Sequence, residues 1–227
     1  MSDSKLWDYH QNENRNHLCS SYPRQNMLFR KICKKLDRNS KILEIGFWDG
    51  YLLNKLSKNW YDVIWQDLSE ININNTKAQR NNNKIKFILW DDSWEIFTLE
   101  NSLDWFIASE VLEHMSDKEL QICVDEIYKK LKVWWYAFLT FPANENLELN
   151  QCICPECWKI FHKWWHKQYR DTQKIKRTFK NFKIVTLRTF VSRPAWSTFL
   201  QGIIWYLKFI WSRILNINKS YLVILKK

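Results

Sequence analysis

Glycine is almost missing. The 227-residue chain has 3, where average usage of about 7% would give roughly 16. Proline, at 4 residues, is also scarce, and no Pro/Gly/Ser linker divides the chain, so one domain over 1–227 is expected. No stretch reaches the roughly 18 uncharged apolar residues of a membrane span. The longest candidate, 199–215, is interrupted by Gln201, Lys208 and Arg213. Residues 1–13 are polar and lack a basic-then-apolar signal segment, which makes the cytoplasm the expected compartment.

What is present suffices for a folded core. Hydrophobic residues make up 46% and aromatics 16%, which excludes a disordered chain. Tryptophan is over-represented at 15, and its excess nearly matches the glycine deficit. Lys and Arg number 35 against 24 acidic residues, a formal net charge of +11. The basic residues are scattered, and with 20 Asn and abundant Ile they fit an A/T-rich gene. Nucleic acid as a partner rests on that charge alone; an RNA or anionic-lipid patch is the alternative reading. Of the six cysteines, Cys152, Cys154 and Cys157 are clustered, which in a cytosolic chain points to metal before disulfide.

Apolar runs and helical spacings alternate. Strands are expected at 41–46, 61–66, 85–89, 103–109, 135–141, 182–190 and 221–225. Helices are expected at 51–57, after a Ser69 cap, at 117–131 with apolar residues at 120, 124, 127, 128 and 131, at 171–180, and at 199–215. In the last, Phe199, Ile203, Tyr206, Ile210 and Ile214 form one stripe, read as a core or lid helix. This alternation predicts an α/β fold, doubly wound around a mostly parallel seven-stranded sheet. Such sheets bind ligands at the carboxyl ends of their strands.

The first strand ends in Glu44-Ile45-Gly46-Phe47-Trp48-Asp49-Gly50. A glycine turn there lets main chain and a helix N-terminus approach a ligand closely. About 20 residues on, Asp67 ends the second strand, where a carboxylate can accept both hydroxyls of a ribose. Asp91 and Asp92 end the third, within reach of an adenine amino group.

These residues resemble the class I S-adenosylmethionine-dependent methyltransferases. I-L-E-I-G-F-W-D-G is similar to that family's acidic-x-G-x-G-x-G motif, and D-L-S at 67–69 to its ribose-binding segment. L-D-W-F-I-A-S-E-V-L-E-H at 103–114 resembles its fourth-strand segment, and L-K-V-W-W-Y-A-F-L-T-F-P its L-K-P-G-G turn and fifth strand. The resemblance implies a Rossmann-like fold and an S-adenosylmethionine site formed by Glu44, Gly46, Trp48, Asp49, Gly50, Asp67, Leu68, Asp91, Asp92 and Glu110.

The departures share one form: tryptophan stands where the family has glycine, at 48 and at 134–135, with 60, 65, 90, 158 and 165 at further glycine positions. An indole at 48 would fill the space that glycine leaves for ligand. The expectation is that most of these tryptophans are glycine in the natural protein, through a UGA codon read there as Gly. Trp7 and Trp164 carry no such requirement. If the tryptophans are genuine, a degenerate, inactive domain is the alternative.

Cys154-Pro-Glu-Cys157-Trp-Lys-Ile-Phe-His162-Lys-Trp-Trp-His166 reads C-x2-C-x4-H-x3-H. Two thiolates on a knuckle and two imidazoles one turn apart suit a closed, structural Zn2+ site, with Cys152 as a substitute ligand. Some methyltransferases of this superfamily look similar here, with C-P-x-C-G-x-x-F-H-x-x-G-H. The segment 142–170 is therefore expected to be a zinc-pinned lid over the acceptor pocket.

Methyl transfer from a sulfonium is an in-line displacement governed by positioning and exclusion of water. A base is needed only if the acceptor loses a proton. His114, beside Glu110 and Glu113, is the candidate; a packing role is the alternative. Thr140 and Asn144 are expected near the acceptor. The expected function is methyl transfer to a small-molecule or glycan/lipid-precursor acceptor. The alternatives are RNA or protein methylation, and a non-catalytic zinc-containing binding module.

Overall fold

The computed structural model describes residues 22–37, 39–46, 50–59, 61–79, 85–91, 93–191, 206–207, 209–211 and 219–227. Seven strands form one sheet: β1 (Lys41–Ile45), β2 (Asp62–Asp67), β3 (Ile85–Leu89), β4 (Leu103–Ser109), β5 (Leu131–Pro142), β8 (Lys183–Phe190) and β9 (Ser220–Lys226), in the order β3-β2-β1-β4-β5-β9-β8. The first five pair in parallel, and β9 runs antiparallel between β5 and β8. The doubly wound, mostly parallel seven-stranded sheet read from the alternating pattern is present.

The strands read as apolar runs because both faces of the sheet are covered. Every residue of β4 is buried. On one face lie α1 (Tyr22–Cys33), α2 (Tyr51–Lys58) and α3 (Glu70–Gln79), whose Leu28, Ile32, Leu52, Leu56 and Ile73 share a core with Ile42, Val63 and Ile107. On the other lie α4 (Asp117–Lys130) and α5 (Thr172–Thr178), packing Leu120, Val124, Ile127 and Ile175 against Leu43, Phe106 and Leu139. Local chemistry starts these helices where the sequence predicts. The Ser69 hydroxyl accepts the Asn72 N–H (3.1 Å), and Asp171 accepts the Lys174 N–H (2.7 Å). Ser116 and Glu119 form a reciprocal capping box at α4.

Three features were not anticipated. Helix α1 precedes the first strand. The turn expected ahead of the fifth strand is an irregularity within β5: Leu131 pairs with Leu103 but Tyr136 with Trp105, so residues 132–135 stand opposite Asp104 alone, three more than a regular ladder holds. The Cys/His segment is a β-hairpin of β6 (Gln151–Ile153) and β7 (Ile160–His162). The helix expected at 199–215 lies almost wholly outside the described residues. Residues 206–207 and 209–211 within it are helical. Trp7, Trp48, Asp49, Trp60, Asp92 and the polar start of the chain also lie outside them. Among the described residues no helix is long and apolar enough to cross a membrane.

Candidate active site

Parallel pairing places the carboxyl ends of β3, β2, β1 and β4 side by side along one edge. Glu44 is buried at the fourth position of β1, and Gly46 follows the strand with φ +60°. A Cβ at 46 would stand 2.5 Å from Val111 Cγ2, so any side chain both clashes and strains the backbone. Gly50 caps α2 at φ +66°. Here a Cβ would meet the Trp65 ring at 2.3 Å. Two left-handed glycines thus flank the β1–α2 connection at the strand end, where bare main chain can approach a nucleoside cofactor closely.

Asp67 closes β2 and is buried. Its Oδ1 accepts the Ser69 N–H (2.9 Å) and its Oδ2 the Asn72 side-chain amide (3.1 Å). The carboxylate is held fixed at the strand end, and Leu68 beside it packs against the core. Asp91, just past β3, is exposed and accepts the Ser93 N–H (3.0 Å). Glu110 follows β4 at φ +58°, and its N–H donates to Thr140 O (2.8 Å). Five of the residues expected to bind cofactor (Glu44, Gly46, Gly50, Asp67 and Glu110) therefore line the ends of three adjacent strands, with Asp91 at the next.

Helix α1 supplies a cation the sequence reading missed. Arg24 Nε donates to Ser109 Oγ (3.1 Å), and its guanidinium lies 3.8 Å from Glu110. Ser109 in turn meets the Thr140 hydroxyl (3.0 Å). Asn144, at φ +52°, accepts from Tyr221 OH (3.1 Å). No motif marks Arg24; only the packing of α1 on the sheet brings it to the site.

Beyond β4, a 3-10 turn (Leu112–His114) carries Glu113 and His114. The chain after the hairpin crosses over it: Lys167 and Gln168 N–H groups donate to Glu113 O at 2.8 and 3.2 Å. Arg170 is buried, bonded to Gln168 Oε1 and to Leu112 O. Burial, reinforced by the neighbouring Glu110, pushes the Glu113 carboxyl well above the usual carboxylate range.

The four residues expected to hold zinc fall into two groups. Cys154 and Cys157 sit at the hairpin tip as a knuckle. Amide N–H groups of Cys157 and Glu156 and the Cys157 thiol bond to the Cys154 sulfur and lower its pKa. His162 and His166 instead stack on one another, with ring centroids 4.7 Å apart, and share Glu145: His166 Nδ1 bonds to Oε2, and His162 Nε2 lies 3.5 Å from Oε1. Desolvation, then the neighbouring His166, holds the His162 pKa down against the pull of Glu145. His114 joins this group, its ring 4.9 Å from that of His166. The clusters of convergent ligand atoms among the described residues include neither cysteine.

Of the tryptophans read as standing for glycine, Trp134, Trp158 and Trp165 have φ of +75°, +57° and +54°. Trp94, not singled out in the sequence, has +61°. Trp65, Trp90 and Trp135 are not among the left-handed residues; Trp65 lies in a strand, where extended backbone suits any side chain.

Residues 42–133 match the family model described as a methyltransferase domain. The comparison with curated proteins returns no match. Among solved structures, the fold is similar to one from the complex between the Haloferax volcanii Trm112 methyltransferase activator and a methyltransferase (TM-score 0.69, 13% identity, 96% of each chain covered). It is also similar to an S-adenosylmethionine-dependent methyltransferase from Mesorhizobium loti (TM-score 0.64, 14% identity, 92% of this chain and 98% of that one). A third is Haemonchus contortus phosphoethanolamine N-methyltransferase 2 in complex with S-adenosyl-L-methionine (TM-score 0.69, 14% identity, 100% of this chain and 60% of that one). Residues 42–133 thus match a methyltransferase domain, and the fold in which they lie is shared with these structures.

Proposed function

We propose that the chain transfers the methyl group of S-adenosylmethionine by in-line displacement to a small-molecule or glycan/lipid-precursor acceptor. The observation that carries this is the row of groups along one edge: left-handed Gly46 and Gly50 after β1, Glu44 buried in that strand, and Asp67 at the end of the next. Asp67 would take the ribose hydroxyls, Asp91 with Asp92 the base, and Asp49 with Glu110 the methionine end. Support for a compact acceptor is that residues 167–168 cross over the turn after β4, their N–H groups donating to Glu113 O. Asp67→Ala should weaken S-adenosylhomocysteine binding at least about tenfold, the loss of a hydrogen-bonded charged group being worth about 1.5–3 kcal/mol. Calorimetry checks this, and unchanged affinity would sink the assignment.

The same proposal takes most of the tryptophans as glycine in the natural polypeptide. Its support is the left-handed backbone at 94, 134, 158 and 165, together with the composition. Peptide mass spectrometry of protein from its natural source should read glycine at 48, 134 and 158; tryptophan there would end the idea.

A further inference from the structure

Glu113, His114 and His166 each place a potential ligand atom within 4.8 Å of the other two. Glu113 is 1% exposed, and neither carboxylate oxygen has a hydrogen-bond partner. Its cationic neighbour Arg170 spends its hydrogen bonds on Gln168 and Leu112. Sealed from water in this way, the carboxyl is stable as a charged ligand only where a cation meets it directly.

The two imidazoles are already set. His166 Nδ1 bonds to the Glu145 carboxylate, which only accepts, so this nitrogen carries the proton and the lone pair lies on Nε2. His114 Nδ1 lies 3.4 Å from the Trp165 carbonyl, which also only accepts, and its lone pair likewise falls on Nε2. A carboxylate or carbonyl behind the far nitrogen is how metal-binding histidines are oriented. Glu145 is anchored in turn by His162 at 3.5 Å. That ring is fixed by the Trp164 and His166 N–H groups donating to its Nδ1 at 3.3 and 3.2 Å.

We propose that Glu113, His114 and His166 hold a divalent first-row transition cation beside the methyl-transfer site, and that this cation binds a hydroxyl group of the acceptor. The cation site stands on its own geometry; its role in catalysis rests on the methyltransferase reading above. Two imidazoles and one carboxylate leave coordination positions open, unlike a closed structural zinc site. A hydroxyl on such a cation loses its proton near neutral pH, which passes to solvent. The oxygen then forms its bond to the methyl carbon as the carbon–sulfur bond breaks. The electron pair stays on sulfur, and S-adenosylhomocysteine leaves as a neutral thioether.

The test titrates metal-stripped protein with Mn2+ and with Zn2+ by calorimetry, with S-adenosylhomocysteine titrated into the same samples. One equivalent of cation should bind. Glu113→Gln and His166→Asn should each weaken it on the order of 100-fold or more, and Glu145→Gln about 10–100-fold, all with S-adenosylhomocysteine affinity retained. A Cys154→Ser/Cys157→Ser double variant should bind the cation as tightly as the parent. No cation bound, a cation lost with the cysteines, or affinity indifferent to both Glu113→Gln and His166→Asn would each overturn the site. Cation binding with no S-adenosylhomocysteine affinity in the parent would overturn the methyltransferase role and leave the site standing.

Discussion

Trp134 holds φ +75° with its side chain 70% exposed, over which Lys226 Nζ sits 4.8 Å from the ring. The left-handed backbone costs a non-glycine residue about 1–2 kcal/mol, and an exposed indole recovers little of it. Part of the gain from glycine is lost to its greater freedom in the unfolded chain. Trp134→Gly is therefore expected to stabilise the fold by about 0.5–1 kcal/mol, read from denaturant midpoints; a destabilised variant would show that the indole itself contributes packing. The cysteines differ just as sharply in their surroundings. Burial pushes the Cys123 thiol up, and Glu126 adds to this, whereas backbone amides at the hairpin tip lower Cys154. The thiolate is the reactive form. Iodoacetamide at neutral pH should thus label Cys154, and the exposed Cys157 beside it, well before Cys123, with the Cys154 reaction setting in at lower pH than for a free thiol. Mass-spectrometric mapping reads the order, and early labelling of Cys123 would contradict it.

At the scale of elements, capping chemistry was the part most open to reading. Ser69, Ser116 and Asp171 precede helical spacings, and each accepts an N–H of its first turn. In the α4 box the Ser116 N–H also donates to Glu119 Oε2 at 2.6 Å. Ser116→Ala should cost about 1 kcal/mol, measured by thermal or denaturant unfolding. The elements that escaped notice lack such signatures. Helix α1 has no acidic first turn to mark its start. The β6–β7 strands have three residues each, too short for a period to show. The bulge between Leu131 and Tyr136 depends on how β5 registers against β4, a relation between segments far apart in sequence.

For the whole molecule, ligand binding should register as global stability. A ligand that binds only the native state at 100 times its Kd adds about 2.7 kcal/mol. For a chain of this size each kcal/mol raises Tm by roughly 2–4 °C. Saturating S-adenosylhomocysteine is therefore expected to raise Tm by about 5–10 °C in a thermal scan, and the Asp67→Ala variant should show a clearly smaller rise. The chain by itself determined the alternation of strands and helices, because burial on both faces of a parallel sheet demands apolar runs, and it determined the glycines and the acidic strand ends of the edge proposed to take the cofactor. It also showed that cysteines and histidines lie within one short segment. Which of them meet was left to the tertiary structure. Pairing of Gln151 with His162 sets Cys154 three residues further along the hairpin, about 10 Å away at ~3.3 Å per residue. The chain after β7 then folds back over the 3-10 turn and sets His166 beside Glu113 and His114, while His162 and His166 both reach Glu145. Spacing fixes what a local turn can reach, whereas the contacts from Glu145–His162 to Glu113–His166, between residues far apart in sequence, are set by how the elements pack.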